Sequence, residues 1–448
     1  MNRHLPTTRW MILVALSLLT TGIAPVSAEL SRGHKWVRHH PYTIMALSIN
    51  PKLFIAEQYM AAGMTAALPW KIKTAMYEHI AEAGMPWHGH IRSSRLRKAG
   101  FTEEVKEQAI SLVDKYPNCI AWLIWDEPQR IVMPQVGQAI EWFKEKYPDK
   151  LIYSNALPQG ARRMTKYYGG PLPEEGYTYE QYMRDFATIT KGDVLMYDAY
   201  PFMQDGSTKN MFGTMLLTRK IGLETNIPYW SFVQAYKDLR RKYRMPSESD
   251  VRMQVFMHLV CGYTGILYFT YENAQGPAMV ENSTGKLRPI YYDVARLNKE
   301  VFNLGRSIRF LRSTDVRYLP GVDGQIPEPA IAWSADAGGE KRIRSITIED
   351  SQEAADKDVL VGYFQDDSDR QYLMISNLWH DMNASADQRM LTVRLKVDPT
   401  ITVVGRLSRE TGQPEYLKVT NGELRITLPG GTGDLLQLGG ASFPGLDE

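Results

Sequence analysis

The chain has 448 residues, too many for one ordinary core, and its 44% hydrophobic and 23% charged residues are those of a folded globular protein. Its 52 basic and 50 acidic residues leave a net charge of +2, which removes the electrostatic case for a nucleic-acid partner. The 10 Trp and 25 Tyr supply flat aromatic faces, which serve both as core and as platforms for ring-shaped ligands.

The first element is an export signal over residues 1–28. Arg3 and Arg9 precede an apolar stretch, Trp10–Leu19, and Val26-Ser27-Ala28 supplies small residues for cleavage. The apolar stretch is short for a spanning helix, and no later segment is apolar enough to span a membrane. The mature protein is therefore expected in the periplasm or outside the cell, with no membrane attachment. His34, His39 and His40 read as a polar lead-in to the first strand.

From residue 42 to about residue 272 one pattern recurs eight times, a short β-rich apolar run followed by an amphipathic stretch. The runs are Tyr42–Ile49, Met64–Pro69, Met85–Ile91, Ile120–Trp125, Leu151–Asn155, Val194–Tyr200, Pro228–Gln234 and Gly265–Tyr271. Ala56–Ala62 and Thr74–Ala83 read as helices closed by Gly63 and Gly84, and Thr102-Glu103-Glu104 opens a third with a cap and an acidic first turn. Strands alternating with helices imply parallel pairing, and eight such units are the size of a (β/α)₈ (TIM) barrel, an α/β fold. No Gly-x-Gly-x-x-Gly follows the first strand, which counts against a doubly wound dinucleotide-binding sheet. Arg288–Leu311 reads as a closing helix. Beyond it Val359–Phe364, Gln371–Asn377, Met390–Leu395, Thr402–Leu407 and Glu423–Leu428 alternate like strands of a small antiparallel β-sandwich. The expected division is a signal peptide at 1–28, a barrel at 29–312 and a sandwich at 313–448. Cys119 and Cys261 fall far apart around such a barrel and are expected as two buried free thiols.

Barrel enzymes carry their chemistry where the strands end. Strand four ends in Trp125-Asp126-Glu127-Pro128, two adjacent acids of which one need face the mouth. Strand six ends in Asp198-Ala199-Tyr200 and strand eight in Tyr271-Glu272. Trp70, His88, His90, Asn155, Trp230 and Gln234 stand at or near the ends of strands two, three, five and seven. They provide the donors, acceptors and aromatic faces that hydroxyl-rich ligands call for.

The stretch Ala121-Trp122-Leu123-Ile124-Trp125-Asp126-Glu127-Pro128 resembles a segment of β-galactosidase-like barrel glycoside hydrolases, and barrel plus sandwich resembles their architecture. The resemblance implies a carbohydrate substrate, hydrolysis of an O-glycosidic bond without a cofactor, and Glu127 as general acid/base. Placement at the strand ends makes Asp126, Glu272, Asn155, Trp70, His88, His90, Tyr200, Trp230 and Gln234 the expected substrate contacts. Typical retaining members carry a nucleophilic Glu at the end of strand seven; here Gln234 stands near that end and cannot attack. Asp198 is the preferred second carboxylate and Glu272 the alternative. Met196-Tyr197-Asp198 also resembles the Met-x-Tyr-Asp segment of barrel chitinases without its spacer, and Asp126-Glu127 the Asp-Glu pair of hexosaminidases, in which the substrate's own N-acetyl group attacks. Two other functions compete: a carbohydrate-binding barrel without activity, and a metal-dependent hydrolase built on His88 and His90. A catalytic metal needs three protein ligands, and no further clear set follows at the expected strands, so no metal is assigned.

Overall fold

The computed structural model describes residues 29–446 apart from 71–73, 92–95, 97–99, 161–163, 273–274, 337–339 and 350–353. The export signal read at 1–28 lies outside the described residues.

Eight parallel strands follow one another around a barrel: β1 Thr43–Ser48, β2 Leu68–Pro69, β3 Trp87–His90, β4 Cys119–Asp126, β5 Leu151–Ala156, β6 Leu195–Asp198, β7 Tyr229–Gln234 and β8 Gly265–Phe269. Each lies within or beside one of the eight apolar runs. β1 pairs with both β2 and β8, and the ring closes through an Ala67–Trp87 bridge between the second and third runs. Helices lie between the strands. Those at Ala56–Ala61 and Thr74–Glu82 are followed by Gly63 and Gly84, both in the left-handed region with φ of 77° and 63°. Thr102 is the N-cap of helix Glu103–Lys115, but its side chain makes no capping hydrogen bond.

Alternate strand residues point inward and fill the barrel. Met45, Leu47, Ala121, Leu123, Leu151, Tyr153, Met196, Trp230, Phe232 and Leu267 form one buried cluster. The outward residues, among them Ile44, Trp122, Ile152 and Tyr197, pack under the helices in a second cluster. Gly89 belongs to the outward set. A Cβ there would stand 2.3 Å from the Trp122 ring, so the glycine of His-Gly-His is required by close packing.

The lead-in to β1 is a helix, Arg32–His39, rather than a polar extension. Ser31 caps it by accepting from His34 N, and it turns Trp36 and Val37 into the floor of the barrel. Trp36 meets His88 edge-on at 6.2 Å between ring centroids and Trp230 at 6.2 Å, and His40 stacks on its other side at 3.9 Å. Arg32 forms an ion pair with the buried Asp193 just ahead of β6. The polar appearance of this segment comes from the His and Arg residues that face away from the plug.

Helix Pro289–Ile308 closes the barrel, and β9 Arg312–Leu319 opens an antiparallel sandwich. A six-stranded sheet has the order β15-β14-β17-β12-β11-β9 and a three-stranded sheet the order β10-β13-β16. The added members are β10 Ile343–Ile348, β11 Val359–Gln365, β12 Gln371–Asn377, β13 Leu391–Val397, β14 Val403–Leu407, β15 Pro414–Lys418, β16 Glu423–Leu428 and β17 Gly433–Leu438. One face of the larger sheet meets the smaller sheet through Val361, Tyr363, Leu373, Ile375, Leu395 and Ile426. The other face places Leu360, Phe364, Tyr372 and Met374 in the same apolar cluster as the barrel's helices. Gly362 allows that approach, since a Cβ there would stand 2.1 Å from the carbonyl oxygen of Val260. An ion-pair chain crosses the same boundary: Arg252 to Glu300 at 2.8 Å, Glu300 to Arg409 at 2.9 Å, and Arg409 to Asp434 at 2.6 Å. Cys119 and Cys261 are both buried and free. Among the described residues, no helix is long and apolar enough to cross a membrane.

Removing the floor should loosen the whole barrel. Trp36→Ala is expected to lower unfolding stability by about 3 kcal/mol, read from urea denaturation, because it leaves a cavity against Trp230 and His88. A loss below about 0.5 kcal/mol, the size of an ordinary surface change, would show that the helix does not seal the barrel.

Candidate active site

At the C-terminal end of the strands β4 departs from regular pairing. Its register with β5 shifts between Leu123 and Asp126, and Asp126 ends opposite Asn155. Regular alternation after Ala121 and Leu123 would turn Trp125 inward. The shift instead sends Trp125 to the outer cluster and Asp126 to the mouth. Glu127 follows in the left-handed region, φ 53°, with its amide donating to Asn155 O at 2.9 Å. Both acids therefore reach the mouth, where the alternation rule allowed one.

Two connected spaces lie over them. A pouch of about 150 Å³ is lined by Trp70, Asp126, Glu127, Asn155, Asp198 and Tyr200, with Phe232 and Phe269 at its base. An open cleft of about 1080 Å³ continues from it past Lys166, Tyr200, Lys209, Arg241 and Tyr243. Glu127, Asp198, Tyr200 and Arg241 line both.

Asn155 ties the acids together. Its Nδ2 donates to Asp126 Oδ1 at 3.2 Å and to Asp198 Oδ1 at 3.3 Å. Because one nitrogen touches both, these two oxygens lie no more than 6.5 Å apart, the two distances laid end to end. Such crowding of buried acids raises their proton affinity. Burial, then the charge of Glu127, pushes Asp126 up to about 7. Asp198 is raised well above the usual carboxylate range by burial, with the charges of Glu127 and Asp126 adding to it. Burial also raises Glu127, but Lys166 and Arg241 pull it back. Lys166 and Arg241 thus favour the ionised form of Glu127, while burial and the neighbouring acids favour the protonated form of Asp198.

The remaining candidate residues divide in two. Trp70 and Tyr200 line the pouch, and His90 stacks behind Trp70 at 3.8 Å between ring centroids. Glu272, Gln234, His88 and Trp230 are not brought to the mouth. Glu272 is enclosed, accepting from Ser48 Oγ at 2.6 Å and Ile49 N at 2.9 Å, so it fastens the end of β8 to β1. Gln234 accepts from Phe202 N at 2.9 Å and donates to Arg244 O at 2.8 Å, which joins the segments that follow β6 and β7. His88 is buried at the floor beside Tyr153, 2.9 Å from its hydroxyl, and burial lowers it to about 3. Trp230 belongs to the same layer and donates to Thr264. Among the described residues, no three His, Cys, Asp or Glu side chains converge in a way that could hold a metal.

Lys166, Lys209, Arg241 and Tyr243 were not singled out in the sequence. The available signal was charge in the segments after strands five and seven, Arg162-Arg163-Met164-Thr165-Lys166 and Arg240-Arg241-Lys242, which belong to the functional end of such a barrel.

No protein-family model and no curated protein matches the sequence. Among solved structures, the chain is similar to a family 39 glycoside hydrolase from Bacteroides cellulosilyticus WH2, at 12% identity over 92% of this chain and 82% of that one, with a TM-score of 0.46. It is similar to a GH27 β-L-arabinopyranosidase from Geobacillus stearothermophilus at 10% identity, over 92% and 99% of the two chains, TM-score 0.46. A noncanonic maltogenic α-amylase from Thermotoga neapolitana aligns at 9% identity over 89% and 99%, TM-score 0.47. The functional reading therefore rests on the residues of the cleft.

Asp126 also makes the site sensitive to pH. Its folded-state proton affinity lies above the ordinary 3.8. The stability it lends is present in full below about pH 4 and is lost as pH rises towards 7. Asp126→Asn should leave Tm unchanged near pH 4 and raise it by roughly 2–4 °C at pH 8, followed by calorimetry. An equal gain at both pH values would mean that the buried charge is not its source.

Proposed function

We propose that the protein is an exported glycoside hydrolase in which Glu127 and Asp198 share the cleavage of an O-glycosidic bond. The observation that carries the reading is that both carboxyls line the pouch and the cleft, with burial and two neighbouring acids raising Asp198 while Lys166 and Arg241 act against the rise at Glu127. Hydrolysis of a glycoside needs one carboxylic acid to protonate the leaving oxygen and one carboxylate to attack or stabilise the anomeric carbon. Asp198, buried and crowded by two other acids, is the proton donor. Glu127, facing Lys166 and Arg241, is the carboxylate. The surroundings thus exchange the roles that the strand-four resemblance implied, in which Glu127 gives the proton. Asn155 holds Asp198 from below and keeps its proton-bearing oxygen free for the sugar. Asp126 helps keep Asp198 protonated. Tyr200 and Trp70 offer ring faces to the substrate.

The Glu127–Asp198 pair is proposed to act with retention, the outcome of carboxyls about 5 Å apart, rather than the inversion of pairs at roughly 6.5–9.5 Å. The missing acid on strand seven then needs no substitute from the substrate, because the pair stands on strands four and six.

Glu127→Gln and Asp198→Asn should each lower kcat/KM by about 10³-fold on an aryl glycoside that the protein cleaves, measured by phenolate release. Sodium azide should restore turnover to Glu127→Gly with a glycosyl azide of inverted configuration. The same reagent with Asp198→Gly should give the retained one. Full activity in either of the first two variants would refute the assignment.

A further inference from the structure

We propose that the cleft takes a glycan carrying negative charge, carboxylated or sulfated, and holds its anionic groups with Lys166, Lys209 and Arg241. The proposal rests on the glycosidase reading of the same cleft and adds its substrate class.

The chain as a whole is nearly neutral, at +2 over 448 residues, so it has no general excess of cations to distribute. Three long cationic side chains nevertheless line one opening. Lys166 and Lys209 make no ion pair among the described residues. The nearest carboxylate to Arg241 is that of Asp238, at 3.8 Å. Two further acids line the same cleft: Glu180, which is engaged by Arg184 at 2.8 Å and Lys220 at 3.2 Å, and Glu328, which makes no ion pair with the three cations among the described residues.

Catalytic electrostatics account for part of this charge. Lys166 and Arg241 act on Glu127. Lys209 has its contacts elsewhere, on Tyr243. Its ammonium sits 4.6 Å from the Tyr243 ring centroid and 3.4 Å from the Tyr243 hydroxyl, which places a cation beside an aromatic face at the cleft wall. A ring face with a neighbouring cation is a recognition unit for a sugar that bears an anion.

Arg241 is presented on a braced turn. Asp238 Oδ1 accepts from Arg240 N at 2.9 Å and Arg241 N at 3.2 Å, and Asp238 N donates to Tyr243 O at 3.1 Å. At the end of the turn Arg244 is paired with the buried Asp250, which also takes a hydrogen bond from His380 of the sandwich at 2.7 Å. A guanidinium fork matches the planar or tetrahedral oxygens of carboxylate and sulfate, and a held backbone reduces the entropy lost on binding.

Asp198→Asn, full length, allows binding to be read without turnover. Its retention would be measured by affinity electrophoresis in gels containing polygalacturonate, κ-carrageenan or neutral galactan, at about 50 and about 500 mM NaCl. One of the two anionic polymers should be held at least about tenfold more tightly than galactan, and the salt should weaken that hold. Polygalacturonate or carrageenan as the preferred polymer separates carboxylate from sulfate. Adding Lys166→Gln and Lys209→Gln together should remove about tenfold of that affinity at an unchanged Tm and leave galactan retention as it was. Galactan held as tightly as the anionic polymers, an unchanged affinity in the triple variant, or equal retention by double-stranded DNA would each overturn the proposal. An anionic polymer bound in this way but never cleaved by the native protein would refute the glycosidase reading and leave this one standing. Cleavage of galactan alone, without retention of either anionic polymer, would do the reverse.

Discussion

Two carboxyl groups held by one asparagine, with a third acid beside them, set the terms for the rest of the molecule. Asn155 can donate to Asp126 and Asp198 together only because β4 shifts register before Asp126, and its carbonyl accepts from Glu127 only because Glu127 turns left-handed. Acids at such spacing and burial cannot all ionise. Burial and mutual charge therefore raise the proton affinity of Asp126 and Asp198. The arrangement is unfavourable for folding, and the surrounding barrel offsets it with a buried apolar cluster that begins at the Trp36 floor.

The support for this site is spread around the ring. β4, β5 and β6 supply the polar atoms, while β7 and β8 supply Phe232 and Phe269 beneath them. Glu272 and Gln234, each with its polar groups satisfied internally, hold the strand ends and the loops around the opening. Their chemistry is that of structural fasteners, and it explains why polar residues at strand ends need not touch a ligand.

Much of this was legible in the sequence. The eight apolar runs announced the eight strands, because inward and outward faces of a parallel barrel are both buried and leave little polar alternation. Glu127, Asp126, Asn155, Asp198, Tyr200 and Trp70 were each placed at strand ends, and all six line the pouch. What could not be read was orientation. A register shift has no composition signature, so the inward turn of both acids was hidden. His88 and His90 share a face of β3 but sit at different depths, one at the floor and one behind Trp70. The plug helix was missed because Arg and His dominate its other faces. In the sandwich, β9, β10, β15 and β17 escaped notice; β9 and β10 mix exposed and buried positions, β15 has only exposed and half-buried ones, and β17 is buried throughout.

The connection between β9 and β10 leaves the sandwich and returns to the barrel's opening, where Glu328 and Pro329 form part of the cleft wall and Asn210 donates to Glu328 O at 2.8 Å. A segment of the sandwich's chain therefore stands at the cleft without belonging to the strands that carry the acids. Residues there can change in length and character while the acids, the asparagine and the floor stay as they are. Revising that one peripheral loop would reshape the opening, and a barrel cut free of its sandwich would lose a wall of its cleft.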